Sequence, residues 1–406
     1  MNGDRLSVII VSRHRAEALK LCLLSLSMQD LPAFQVVVVA DPAAIATLGE
    51  WSDHVTAAPF DEANISAARN LGLSLATGDV VAFIDDDAVA EPTWARRLLG
   101  AFSRPDVVAA TGFVRGRNGV SLQWGAAEVD ARGQDHPLKV SGDDPSLPTP
   151  SPGRAVKTVG TNCAFRALAL RRIGGFDPAL HFYLDDADVN LRLASAGVTA
   201  VVPGAQVQHG FAPSVRRRAD RAPTSLRDIA ASTAVFLRRH APGALDEGLA
   251  LARQQQERRL LTMMVDGRLE PGQLRPLRQS FDDGWQDGLS RPLPVLAPLV
   301  GPSGAGARDF CSAGPSPGEV FAGRPWQRLG LEAKARMARR QGRIATVICL
   351  SPSFRPHWQK FRPDGIWTIK GGIWGKGDRA RPQPFIGSFS TRIAAILREV
   401  SRYRPV

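Results

Sequence analysis

The chain has 406 residues, 44% hydrophobic and 22% charged, the composition of a folded globular protein with length for two or three domains. No uncharged apolar stretch reaches the roughly 18 residues needed to cross a bilayer, PLPVLAPLVGP being short and proline-rich, and no N-terminal window has a secretory leader's pattern, so a cytoplasmic protein is expected. Cys22, Cys163, Cys311 and Cys349 are scattered without CxxC or His/Cys clustering, which speaks against a zinc site or disulfide framework and for reduced thiols. The net charge of +12 is uneven: residues 1–209 hold 18 Lys+Arg against 23 Asp+Glu, a net of −5, and the remainder holds 33 against 16, a net of +17.

In chain order, LSVIIV (6–11) reads as a buried strand, AEALKLCLLSL as a helix and FQVVVVAD as a second strand. A short helix across Pro42 to Trp51, a helix through ISAARNLGLSLA and a third apolar strand, VVAFI (80–84), follow. Repeated βα units rich in Val and Ile predict an α/β fold with a mostly parallel sheet covered on both faces. From about 114 to 157 the pattern weakens around SGDDPSLPTPSPG, as in a long loop. TVGTNCAFR then predicts a strand, ALALRRI a helix stopped at Gly174-Gly175, FYLDDADVNLRLASAG a second helix, and VTAVVPGAQVQH a strand or hairpin ending at His209. Beyond it the expected divisions are a basic helical region (211–287), a Pro/Gly-rich linker with a helix (288–340) and a small basic C-terminal segment with strands (341–406).

Asp85-Asp86-Asp87 directly follows the third strand. Adjacent carboxylates repel, so a fold that gathers them normally supplies a cation; oxygen ligands with room for phosphate fit Mg²⁺ or Mn²⁺. In extended backbone Asp85 and Asp87 share a face and Asp86 points away. Ligands of open α/β sheets sit outside the strands' carboxyl ends, where Ser12, Arg13 and Asp41 also fall. A bare aspartate run can equally be a solvated turn.

LSVIIVSRHR, VVVVAD, ISAARNLGLSLATGDVVAFIDDDAV and GGFDPALHFYLDDADVNLRLASAG, in this order, resemble the family 2 glycosyltransferases of the GT-A fold over about residues 5–210; the C-terminal half resembles nothing assignable. The resemblance implies a nucleotide-binding GT-A domain in which Asp85 addresses the donor ribose, Asp87 holds the metal bridging the diphosphate, Asp41 pairs with a uracil ring, and Arg69 lies near the donor phosphates, with Ser12, Arg13 and Asp86 in the donor site. Asp41 before Pro42 could instead cap a helix, and Arg69 could cover a helix surface. LDDADVNLRL resembles the family's ED-x-D-L-x-x-R pattern with Asp185 in place of Glu and Asp186 at the catalytic base; without the resemblance, the same acids would simply start a helix. Asp188 and Arg192, one turn apart, are expected to pair. His209 stands where a histidine can approach the metal in related enzymes, or is a satisfied side chain; Thr161 and Asn162 could bind acceptor hydroxyls.

The activity implied is inverting, metal-assisted transfer from a UDP- or dTDP-linked sugar to a hydroxyl of a glycan or lipid-linked acceptor, with Asp186 as base and no cofactor beyond the metal. The alternatives are a non-catalytic nucleotide-sugar or glycan-binding protein and a metal-dependent nucleotidyltransferase, the last disfavoured because no Gly-rich phosphate loop with a following Lys lies near the N-terminus. The basic half, with Trp358, Trp367 and Trp374 among Arg, Lys and Gly, could contact an anionic membrane peripherally; a nucleic-acid partner is not expected.

Overall fold

The apolar strands near the N-terminus divide their side chains between two cores. In the computed structural model, which describes residues 4–140, 142–210, 216–302, 308–379 and 385–406, Leu6, Val8 and Ile10 of strand Leu6–Ser12 pack on Leu19, Cys22, Leu23 and Leu26 of helix Ala16–Leu26. Ile9 points to the opposite core, with Ala68 and Leu73 of helix Ile65–Leu75. The strand's period of two is thus satisfied by helices on both faces, and each aliphatic side chain so buried contributes about 1.5–3 kcal/mol. The start of the basic helical region (211–215) and part of the linker (303–307) lie outside the described residues.

Among the described residues the main sheet has ten strands and is parallel through its first part: Leu6–Ser12 lies between Ala33–Ala40 and Val80–Asp85, with Thr56–Pro59 beyond Ala33–Ala40. It then becomes mixed. Strand Asn162–Arg166 inserts antiparallel between Val80–Asp85 and Val107–Arg115, pairing Asn162 with Ile84. An antiparallel strand begins where its parallel neighbour ends, so Thr161 arrives beside Asp85. Ala88–Ala90 pairs antiparallel with the end of Val198–His209, Ala88 opposite His209, and this sets the histidine beside Asp87. Val198–His209 is one strand with a register shift between Val202 and Gln206 rather than a hairpin.

The stretch expected as a loop over 114–157 carries four short strands among its turns and bends. Leu122–Trp124 extends the main sheet, and Ala127–Asp130, Asp135–Pro137 and Arg154–Val156 form a three-stranded antiparallel sheet. Its polar composition hid it because each strand is only three or four residues long, with Val129, Ala155 and Val156 as its buried apolar residues.

Helices Arg227–His240, Leu245–Val265 and Pro271–Ser290 form a bundle with its own core of Leu237, Leu260, Phe281 and Trp285. Phe236 of the first also packs with Leu184 and Val129 of the N-terminal domain, and His240 contacts Asp188, which pairs with Arg192 at 2.9 Å. The linker contributes an edge strand, Phe310–Cys311, to the main sheet. Cys22, Cys163 and Cys349 are buried free thiols. Helix Arg328–Arg340, expected with the linker, is the crossover between parallel strands Gly318–Gly323 and Ile344–Ser351, which belong with Trp367–Gly372 and Trp358–Phe361 to a separate four-stranded sheet. That C-terminal unit is therefore an α/β layer of its own.

A buried ion pair fastens it to the main sheet. Arg404 donates to both oxygens of Glu91, at 2.8 and 2.7 Å; both side chains are fully buried, and the guanidinium lies 3.7 Å from the Trp367 ring centre. Glu91 also accepts from Gln208 and Gln359, so its lone pairs are used. Arg404→Met leaves this carboxylate buried without its cation and should cost about 3–5 kcal/mol, read as a lower thermal midpoint. Adding Glu91→Gln should recover part of the loss; no change in the single variant would show that the pair carries no weight.

Candidate active site

The carboxyl ends of the parallel strands open into a cleft of about 850 Å³ lined by Ser12, Arg13, Arg69, Asp85, Asp87, Thr161, Asp185, Asp186 and His209, among others. The two acidic motifs, a hundred residues apart in the chain, face each other across it.

Asp85 ends its strand, and the turn after it sends the three aspartates in different directions. Asp85 and Asp87, with His209, offer ligand atoms that all lie within 4.8 Å of one another, a group that could hold a metal ion. His209 Nε2 is 3.2 Å from Asp87 and 4.0 Å from Asp85. Its other ring nitrogen, Nδ1, is 3.2 Å from Gln123 Oε1, and the ring stacks on Trp124. A histidine held through Nδ1 presents Nε2 to a cation, the usual arrangement of a ligating imidazole. Two carboxylate oxygens and an imidazole nitrogen together are a donor set for a divalent cation.

Asp86 points the other way and is fully buried, accepting from Ser12 Oγ at 2.7 Å and pairing with Arg15 at 2.7 Å. Burial pushes its carboxyl up to about 7, against the pull of Arg15. Asp86 does not line the cleft, which corrects its expected place in the donor site: it anchors the loop after the first strand from below. Asp41 is a second correction. Its Oδ1 accepts from Ala44 N at 3.0 Å as the cap of helix Pro42–Ala46, and its Oδ2 accepts from His14 N at 2.7 Å. Burial works against its charge, yet those two backbone N–H groups hold its carboxyl below the usual range. Asp41 is 2% exposed and is not among the residues lining the cleft; it positions the loop Ser12–Arg15, in which His14 takes a left-handed φ of 59°. Arg13, at the cleft rim, bonds Asp61 at 2.8 Å.

Arg69 joins the motifs. Buried to 4% exposure, it pairs with Asp185 and lies 3.6 Å from Asp85, its guanidinium over the Phe83 and Phe176 rings. A Cβ at Gly160 would come within 2.4 Å of Arg69, so only glycine fits there. The next contacts run through the same dipeptide: Gly160 N donates to Asp186 at 3.2 Å, and Thr161 Oγ1 donates to Asp85 at 2.6 Å. Leu184, with φ of 64°, turns the chain into helix Asp185–Leu193 so that Asp185 enters the interior and Asp186 stays half-buried on the cleft wall. Burial raises the Asp185 carboxyl above its ordinary range despite Arg69. Asp186 is therefore the acid open to a bound molecule, and Asp185 the one tied into the frame.

Asn162 is a third correction. It is fully buried, its Oδ1 accepting from Trp94 Nε1 at 2.8 Å and its Nδ2 donating to Phe113 and Ala205 carbonyls. With its oxygen taken by Trp94 of helix Trp94–Gly100 and its nitrogen by two strand carbonyls, it cannot greet an acceptor. Several cleft residues went unassigned in the sequence. Arg15 reaches both Asp86 and Asp87, the latter at 3.4 Å, and Arg217 lies 3.7 Å from Asp87. Lys157 bonds Asp135 at 2.7 Å, and although burial works against its charge, Asp186 and Asp135 hold its pKa raised. Arg15 stood in SRHR two places after Arg13; nothing local marked Lys157 or Arg217.

Residues 7–166 match the family model Glycosyl transferase family 2. These residues are a family 2 glycosyltransferase domain. Over 186 residues, 43% of this chain and 56% of the relative, the chain is 28% identical to the glucosyl-dolichyl phosphate glucuronosyltransferase of Haloferax volcanii. It is 34% identical over 136 residues, 32% of this chain, to the pre-mycofactocin glycosyltransferase of Mycobacterium tuberculosis, of which the match spans 27%. The matched segments thus span about half or less of these relatives' length. Among solved structures, the mannosyltransferase PcManGT from Pyrobaculum calidifontis in complex with GDP-Man and Mn²⁺ aligns with a TM-score of 0.42 at 18% identity, covering 71% of this chain and 87% of that one.

Two substitutions test the candidate metal group. His209→Ala removes one of its three offered atoms and should weaken Mn²⁺ binding, measured by titration calorimetry, by more than Gln123→Ala, which removes only the group that orients the ring and should cost about 10–100-fold. Equal Mn²⁺ affinity in wild type and His209→Ala would exclude the histidine from the metal group.

Proposed function

We propose that this chain is an inverting glycosyltransferase that moves a sugar from a nucleoside-diphosphate donor, UDP- or dTDP-linked, to a hydroxyl of a glycan or lipid-linked acceptor. The observation that carries the reading is the bridge between the motifs: Arg69 and Gly160-Thr161 hold Asp85 and Asp186 in one cleft, so a donor seated on the first acidic motif presents its sugar toward the second. The name of one relative, glucosyl-dolichyl phosphate glucuronosyltransferase, contains a lipid-linked sugar and supports the lipid-linked form of the acceptor.

In this reading Asp87 and His209, with Asp85, hold Mg²⁺ or Mn²⁺, which when bound offsets the charge of the donor's diphosphate. Asp85, oriented by Thr161, faces the donor ribose, and Arg13 with the Ser12–Arg15 loop borders the nucleotide. Arg69 adds a buried positive charge behind the phosphates, which lowers the electrostatic cost of gathering anions there. Asp186 takes the proton of the acceptor hydroxyl as that oxygen forms its bond to the anomeric carbon and the bond to the diphosphate oxygen breaks. Attack opposite the leaving group inverts the centre. Asp186 keeps oxygen lone pairs open to the cleft, whereas Asp185 is held by Arg69 and serves to place it.

A panel of nucleotide sugars with Mg²⁺ or Mn²⁺, scored for binding and for release of the diphosphate, tests this directly. Asp186→Asn should bind the donor as wild type does and lose transfer at least 100-fold. Undiminished transfer by that variant would remove Asp186 as the base, and retention of anomeric configuration in the product would remove the single displacement.

A further inference from the structure

The crossover helix of the C-terminal unit is covered by the protein on only one side. Ala335 and Ala338 of Arg328–Arg340 are buried against the four-stranded sheet, with Leu331 partly so. On the opposite side Leu329 is 72% and Met337 61% exposed, and Trp326, in the short turn of helix just before, is 75% exposed. Leu329, Ala333 and Met337 are spaced by four, so on a helix they form one stripe. A large exposed aromatic and two long aliphatic side chains in a row are not a face that water selects.

The surroundings of the stripe are of one sign. Residues 324–343 hold seven Lys+Arg and one acidic residue, Glu332, which is occupied by Arg362 at 3.0 Å and Arg328 at 3.8 Å. Among the described residues Lys334, Arg336 and Arg340, which flank or continue the stripe, make no ion pair. An apolar stripe framed by unpaired cations is the pattern of a helix that lies in the plane of a bilayer, its apolar side chains among the acyl chains and its cations at anionic headgroups. No helix among the described residues is long and apolar enough to cross a membrane, so contact of this kind would be peripheral.

We propose that the outer face of Trp326 and helix Arg328–Arg340 is a docking surface for an anionic lipid bilayer. Charge complementarity selects this occupant: an uncharged surface would leave Lys334, Arg336 and Arg340 without partners. A nucleic acid would leave Leu329 and Met337 with nothing apolar to meet. The surface belongs to the C-terminal unit, whose Arg404–Glu91 pair fixes it to the sheet that carries the cleft, so docking would hold the catalytic domain at the bilayer. The inference stands independently of the transfer reaction.

The test is co-sedimentation of the full chain with phosphatidylcholine vesicles, with and without phosphatidylglycerol, at low and high salt. Wild type should bind the anionic vesicles and be released by salt. Trp326→Ser with Leu329→Ser and Met337→Ser keeps every charge and should reduce binding at least tenfold; Lys334→Gln with Arg336→Gln and Arg340→Gln should reduce it by about fivefold per cation removed. All six side chains are exposed, so both variants should keep the wild-type thermal midpoint. Failure of wild type to bind, equal binding to neutral vesicles, or undiminished binding by either variant overturns the proposal. So does a concentration-dependent dimer in sedimentation velocity that the serine variant abolishes, since a second copy of the chain would then cover the face.

Discussion

The arrangement of the cleft depends on Arg69. Asp85 and Asp185 stand a hundred positions apart in the chain, and two carboxylates brought to about 4 Å repel by about 4 kcal/mol at the effective dielectric of a protein surface. A guanidinium between them, fixed over Phe83 and Phe176 and pressed by Gly160, turns that repulsion into attraction. Arg's planar fork and permanent charge suit the position; a lysine there would be free to lose its proton in so apolar a setting.

The same logic governs the other carboxylates. Arg15 holds the buried Asp86 while Asp85, Asp87 and His209 remain on the cleft side, and Arg15 and Arg217 also approach Asp87 there. Backbone strain marks the same places: His14 and Leu184, two of the three non-glycine residues with positive φ among those described, flank the two acidic motifs. Such conformations persist where surrounding contacts hold them, and here both serve to aim side chains.

The C-terminal half is attached through the metal group's own neighbourhood. Glu91 lies four residues after Asp87, and Gln208, which it accepts from, precedes His209. The tail residue Arg404 thereby braces the strand pair Ala88–Ala90 and Val198–His209 from the side opposite the cleft. Removal of the C-terminal unit would leave Glu91 as a buried acid without a cation, beside the residues that present Asp87 and His209. The Trp cluster of the tail divides accordingly: Trp367 is core, stacked under Arg404, whereas Trp358 is partly exposed.

Local pattern sufficed for much of the catalytic domain. Short continuous apolar runs rich in Val and Ile, such as LSVIIV and VVAFI, read as strands buried on both faces, and their alternation with helices favours a parallel core, because the physics that selects them acts over neighbouring residues. Asp86 does point away from Asp85 and Asp87, as extended alternation would have it, but it does so in the turn that follows the strand. What only the tertiary structure decided was which polar atoms had partners already. Asp41 and Asn162 are ordinary binding residue types at the expected sheet edge, yet a helix N-terminus and three neighbouring segments consume their oxygens and nitrogens. Arg15, Lys157 and Arg217 gain their place only from residues brought near by folding, as does the bridge from Arg69 to Asp185 across 116 positions. A hydrogen-bond partner distant in the chain leaves no periodicity to read, and for that reason the acids could be named from the sequence while the cations and backbone groups that hold them could not.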